Sequence, residues 1–159
     1  MDPNWKKIVK LLTQNHQTIS TMESCTGGAV ASEITNISGA SDVFHEGYIT
    51  YCNDAKIKLG VPSQNIEKYT VYSKETAIEM AKTAQKRAES SFGIGVTGQL
   101  GRVDPQNPQN KLLNHVWYAI AGPNNTITAK TIIVADTTRH KQKLSVTDAI
   151  SSTLLELLK

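Results

Sequence analysis

The chain has 159 residues, of which 39% are hydrophobic and 19% charged, and it carries a net charge of +3. That length suits one domain, 1–159, able to bury roughly 70% of its unfolded surface, and the mild charge without a basic stripe argues against nucleic acid as a partner. No apolar run nears the roughly 20 residues of a membrane span, no signal-peptide core opens the chain, and Cys25 and Cys52 are too few for a zinc site, so the expectation is a cytoplasmic protein with reduced thiols, no membrane partner, no metal and no cofactor.

Asp2-Pro3 opens a first helix, an N-cap acid with proline in the first turn. Trp5, Ile8, Val9, Leu11 and Leu12 give it an apolar face up to Asn15, with Trp5 as a core anchor. Alternating small polar and apolar residues then predict a half-buried strand near 18–23. Glu23-Ser24-Cys25-Thr26-Gly27-Gly28 follows and runs into a helix that ends near Asn36. Paired glycines let the backbone turn tightly and let a ligand approach it. The free N–H groups of the new helix suit a phosphate or a developing oxyanion, and Ser24 on that turn is a candidate nucleophile. The same residues are also compatible with a helix cap and turn alone; this stretch by itself leaves both readings open.

A loop over 37–41 leads to a second strand near 46–52, where Tyr48, Ile49 and Tyr51 favour β structure. Asn53 is placed to cap a short helix over 54–59 that stops at Gly60 and Pro62. Lys56 falls in its first turn, where the helix dipole disfavours a cation. It is there for a ligand, or with its ammonium partly neutral, or as an ordinary solvated lysine. Ser73 begins the longest clear helix, with Glu75 in its first turn and Ala77, Ile78, Ala81, Ala84, Gln85 and Ala88 following. The strand over 92–98 ends in Thr97-Gly98-x-x-Gly101, a polar glycine turn at a strand's carboxyl end, where open α/β sheets collect ligands. Residues 102–114 form a long loop rich in Asn, Gln and Pro. Strands over 115–120 and 126–135 make a hairpin through Pro123-Asn124-Asn125, and Asp136-Thr137-Thr138 caps a last helix to Leu158. Arg139, His140, Lys141 and Lys143 crowd its positive end, as an anion site or as a solvated face. The order of elements predicts an α/β protein, a three-layer α/β/α sandwich on a mixed sheet of about five to six strands.

Ser24 with its glycine turn, Tyr51-Cys52-Asn53-x-x-Lys56, and Thr97-Gly98-x-x-Gly101 together suggest acyl transfer by a Ser–Lys pair. A lysine desolvated by burial has a lowered pKa and can take a serine proton. These blocks, with Gly39-Ala40-Ser41, Gly47-x-x-x-Tyr51-x-Asn53-x-Ala55-Lys56, Leu59-Gly60-Val61 and Val116-Trp117, give a chain that resembles the CinA C-terminal domain family over nearly its whole length. That family includes stand-alone nicotinamide mononucleotide deamidases, and the expectation is one such domain.

The resemblance implies hydrolysis of the carboxamide of nicotinamide mononucleotide to nicotinate mononucleotide and ammonia, without a metal, in a self-associating protein that forms a dimer or larger homo-oligomer. It implies Ser24 as nucleophile, Lys56 as its base and Tyr51 orienting or assisting the pair. Thr26, Gly27, Gly28, Asn53, Thr97, Gly98, Gly101 and Arg139 become substrate-binding positions. Cys25 is the competing nucleophile, expected instead to pack in the turn. The chain departs from the family between Gln99 and His115, where glycines give way to residues with side chains, and at Tyr72 before Ser73. Two readings follow: an amidohydrolase in which Arg102 and Lys111 supply the phosphate contacts, or a catalytically weak or inactive paralogue acting as a nucleotide-binding or regulatory module.

Overall fold

The computed structural model describes residues 2–159. Its elements run α1 (Pro3–Gln14), β1 (Ile19–Glu23), α2 (Ala29–Thr35), β2 (Phe44–Ile49), α3 (Asn53–Leu59), α4 (Ser63–Tyr69), α5 (Lys74–Ala88), β3 (Phe92–Gly98), β4 (His115–Ala121), β5 (Ile127–Ile133) and α6 (Arg139–Leu157). The five strands form one mixed sheet in the order β2-β1-β3-β4-β5. β1 pairs in parallel with β2 and β3, and β4 runs antiparallel to both β3 and β5. Helices cover both faces, as the α/β/α expectation requires. No helix among the described residues is long and apolar enough to cross a membrane.

The two layers of core follow from the pleat of β3, whose successive side chains point to opposite faces. Phe92, Ile94 and Val96 pack with Trp5, Ile8 and Leu12 of α1, Val30 and Ile34 of α2, and Val146, Ile150 and Leu154 of α6. Gly93 and Gly95 point the other way, toward α5. A Cβ on Gly93 would lie 2.2 Å from the Ala81 carbonyl oxygen, and one on Gly95 2.2 Å from that of Ala77. The alternation in this strand is therefore apolar against glycine, and it lets the α5 backbone rest directly on the sheet. On the same face, Ala77 and Ala81 meet Ala119 and Ala121 of β4.

Side-chain caps match the sequence reading at Asp2, Ser73 and Thr138. Other expectations are corrected. β1 is buried throughout rather than half-buried, because it is paired on both edges and covered on both faces. β2 ends at Ile49 instead of reaching Cys52: the Thr50 N–H makes a last bond to the Glu23 carbonyl at 2.8 Å, and the chain then turns into α3. Cys52, not Asn53, is the N-cap of α3. Helix α4, absent from the sequence reading, follows Pro62, and α6 rather than α5 is the longest helix.

The candidate active site

β1 is flanked by β2 on one side and β3 on the other, so successive crossovers leave it in opposite directions. The crevice beyond the carboxyl ends of strands at such a switch point is where open α/β sheets bind ligands. Here it holds a cavity of about 550 Å³ lined by residues from the turn after β1, the β2–α3 connection, the loop after β3 and the start of α6. That volume suits a small-molecule ligand.

Ser24 follows β1 directly, with its N–H bonded to the Val96 carbonyl of β3 at 3.0 Å. The residue before it makes the turn. Glu23 is fully buried and folds its carboxylate back onto the next helix, with Oε2 accepting from the N–H groups of Gly28 (3.1 Å) and Val30 (3.0 Å). Oε1 accepts from Ala31 N–H at 2.9 Å. Gly27 and Gly28 adopt φ of +59° and +98°, which a side chain would strain. The helix N-terminus expected to receive a phosphate or oxyanion is thus already occupied by the chain's own carboxylate. Gly27 and Ala29 N–H bond to the Ser24 and Thr26 carbonyls. Among the described residues, the N–H groups of Cys25 and Thr26 donate to no other residue.

Lys56 is 1% exposed, on a helix whose neighbouring positions are in contact with solvent. Its ammonium donates to Ser24 Oγ at 3.1 Å and to the Thr50 carbonyl at 2.7 Å. Burial pulls its pKa down from 10.5 to about 8. A lysine without a carboxylate partner loses hydration that two neutral acceptors only partly restore. A sizeable fraction of neutral amine therefore sits within reach of the serine near neutral pH. Cys25, beside Ser24, is also buried, and burial together with the Glu23 charge pushes its thiol up to about 12. As a thiol it is a poor nucleophile, and it packs in the turn.

The other expected site residues divide. Gly98 and Arg139 line the cavity with Ser24, and so does Tyr51. Tyr51 makes no hydrogen bond to Ser24 or Lys56, however. Its hydroxyl accepts from Arg139 Nη2 at 2.9 Å, and Arg139 also donates to the Leu100 carbonyl. Arg102 lines the cavity, whereas Lys111 is exposed elsewhere. Thr97 does not reach the cavity: its hydroxyl is taken by the Val71 carbonyl at 2.9 Å. Thr26 is buried with its hydroxyl unpartnered, and Gly101 turns at φ +82° with its N–H on Asn114 Oδ1. Gly98 answers to the sheet as well, since a Cβ there would lie 2.5 Å from the His115 carbonyl oxygen. Asn53, instead of capping α3, donates to Asn107 of the long loop at 3.0 Å.

Two contributors, Glu23 and Asp104, carry no sequence signal strong enough to single them out, and Tyr72 is marked only as a departure from the family pattern. Glu23 was legible only as one polar residue among four. Tyr72 and Asp104 both line the cavity, and the Tyr72 hydroxyl donates to Asp104 Oδ2 at 2.7 Å. Asp104-Pro105 reads as an ordinary turn dipeptide, so nothing in the sequence marks it for a cavity wall.

The family described as the CinA C-terminal domain matches this chain over residues 2–158. A CinA-like protein of Kosmotoga olearia is 50% identical over 95 residues, which is 59% of this chain and 23% of that protein. A CinA-like protein of Flavobacterium psychrophilum is 40% identical over 122 residues, 76% of this chain and 29% of that protein. The chain thus spans under a third of the length of either relative. Among solved structures, the competence/damage inducible protein CihA from Agrobacterium tumefaciens superposes with a TM-score of 0.85 at 27% identity, covering 100% of this chain and 98% of that one.

Proposed function

The chain belongs to the CinA C-terminal domain family, and we propose that within it this protein is an amidohydrolase that converts nicotinamide mononucleotide to nicotinate mononucleotide and ammonia. The observation that carries this reading is the buried contact of 3.1 Å between Lys56 Nζ and Ser24 Oγ at the cavity wall. A nucleophile and a base in hydrogen-bond reach, with the base's pKa lowered toward neutrality, are what acyl transfer needs. The cavity also carries Arg102 and Arg139, each lining it without a carboxylate partner among the described residues, and these suit the phosphate of a nucleotide.

In this reading neutral Lys56 takes the Ser24 proton as Oγ attacks the carboxamide carbon. The carbonyl oxygen becomes an oxyanion, for which the Cys25 and Thr26 N–H groups are the backbone donors that Glu23 leaves free. The C–N bond then breaks, Lys56 returns its proton to the departing nitrogen, and ammonia leaves an ester on Ser24. Water attacks that ester with Lys56 again as base, and nicotinate mononucleotide is released. Tyr51 does not touch this pair; its hydroxyl holds Arg139 in the cavity wall, as a positioning residue for the phosphate contact.

Ammonia release from nicotinamide mononucleotide by the purified protein tests the proposal. Turnover that Ser24→Ala and Lys56→Ala each abolish supports it. No turnover, combined with a melting temperature raised by the nucleotide, replaces it with a nucleotide-binding module.

A further inference from the structure

We infer that Asp104 is the counter-charge by which this cavity selects a cationic aromatic carboxamide over its neutral counterpart. The inference rests on the amidohydrolase reading and names the form of substrate that the site prefers.

Asp104 is held as a fixed point. Its Oδ2 accepts from the Tyr72 hydroxyl at 2.7 Å and from Asn107 Nδ2 at 2.7 Å, and its Oδ1 accepts from the Gln106 N–H at 3.0 Å. Its own N–H donates to Gln99 Oε1 at 2.6 Å, while Gln99 Nε2 donates to the Asn110 carbonyl at 2.7 Å. Gln99 and Asn107 are both buried, and Asn107 is tied to Asn53 at the start of α3. Buried amides therefore fix the loop, which has no regular structure, and aim one carboxylate at the cavity.

Every donor to that carboxylate is neutral, and no lysine or arginine forms an ion pair with it among the described residues. Burial alone pushes its pKa up, yet the Tyr72, Asn107 and Gln106 hydrogen bonds and the Lys56 charge together hold it below the usual carboxylate value. A full negative charge thus stands in the cavity wall with Ser24, and the Tyr72 ring lies beside it. The same cavity carries Arg102 and Arg139. A ligand with a cationic ring and an anionic tail meets both signs of charge; a neutral ring leaves Asp104 with only neutral groups in direct contact. Pyridinium-3-carboxamide nucleotides carry this pairing, and the quaternary ring also suits an aromatic face.

The test compares binding of oxidised nicotinamide mononucleotide with that of its 1,4-dihydro form, which keeps the carboxamide and phosphate but loses the ring charge. Titration calorimetry in a Ser24→Ala background, which does not consume the oxidised nucleotide, should give a preference of about tenfold for the pyridinium form, as expected for one unit charge at partly screened range. Asp104→Asn should lower that preference at least about fivefold, and Tyr72→Phe, which keeps the carboxylate, should retain it. An Asp104→Asn protein with an unchanged preference overturns the inference. So does a Tyr72→Phe protein that loses it equally, because loop disorder would then explain both. Ammonia release from the oxidised nucleotide, measured alongside with Ser24 in place, separates the two levels. Turnover with no charge preference sinks Asp104 alone, whereas a preference abolished by Asp104→Asn without turnover sinks the hydrolysis. Binding of neither form sinks both.

Discussion

Lys56 Nζ lies 3.1 Å from Ser24 Oγ across 32 residues of chain, at a position where the lysine is 1% exposed. The contact exists because β1 and β2 run parallel: Ser24 leaves the carboxyl end of one, and the chain leaving the other turns into α3 beside it. No carboxylate neutralises the ammonium, and its properties follow from that.

The pH dependence of catalysis should report this lysine. A base must be neutral, and Lys56 is held at about 8 rather than 10.5. We expect kcat/KM to rise with pH through about 8 and then level off, one proton being lost on the ascending limb. A rate profile measured from about pH 6 to 10 checks this; a flat profile removes Lys56 from the role of base.

Stability should respond in a linked way. Between about 8 and 10.5 the unfolded chain binds the lysine proton and the folded chain does not, so stability rises with pH across that window. Below about 8 both states are protonated, and the folded protein bears the full cost of a buried ammonium. Lys56→Met should therefore abolish activity yet stabilise the fold at pH 7 by about 1–3 kcal/mol. Urea unfolding gives the answer, and a midpoint lower than wild type would contradict it.

Glu23→Gln should do the opposite. The carboxylate accepts three backbone N–H groups at 2.9–3.1 Å inside the fold, and an amide presents an NH₂ group to at least one of those donors. The expected loss is about 2–4 kcal/mol. Faster hydrogen exchange at Gly28, Val30 and Ala31 should accompany it. Unchanged exchange there would mean that Glu23 does not anchor the turn.

The two thiols should separate under alkylation. Cys52 is exposed, whereas Cys25 is buried with its pKa pushed up to about 12. Iodoacetamide on the folded protein should label Cys52 and spare Cys25, read by peptide mass spectrometry. Rapid labelling of Cys25 would reopen its candidacy as the nucleophile.

Much of the fold is legible in local pattern. Asp2, Ser73 and Thr138 sit where caps are read from neighbouring residues alone, and each makes its side-chain cap bond. β3 occupies the predicted 92–98, since apolar residues alternate there with glycine. The α4 segment escaped because Pro62, read as a stop, also precedes a new helix, and Ser63–Tyr69 buries only Ile66. Ser24 is singled out by its glycine turn; Lys56 is singled out as a cation in a first helical turn, whereas in the seven-residue α3 it stands in the last turn, and its burial against Ser24 is what sets it apart.

The reactive groups and the elements that carry them are written in the order of residues, because caps, turns and strand alternation depend on residues a few positions apart. The tertiary structure alone decided which groups meet. It brought Lys56 to Ser24, spent the Thr97 hydroxyl on Val71, gave the helix N-terminus after Ser24 to Glu23, and set Asp104 in the cavity wall. Hydrogen-bond partners and desolvation are properties of three-dimensional neighbours. A side chain's partner, and with it its charge state, is fixed only once the parallel crossovers have brought the strand ends together.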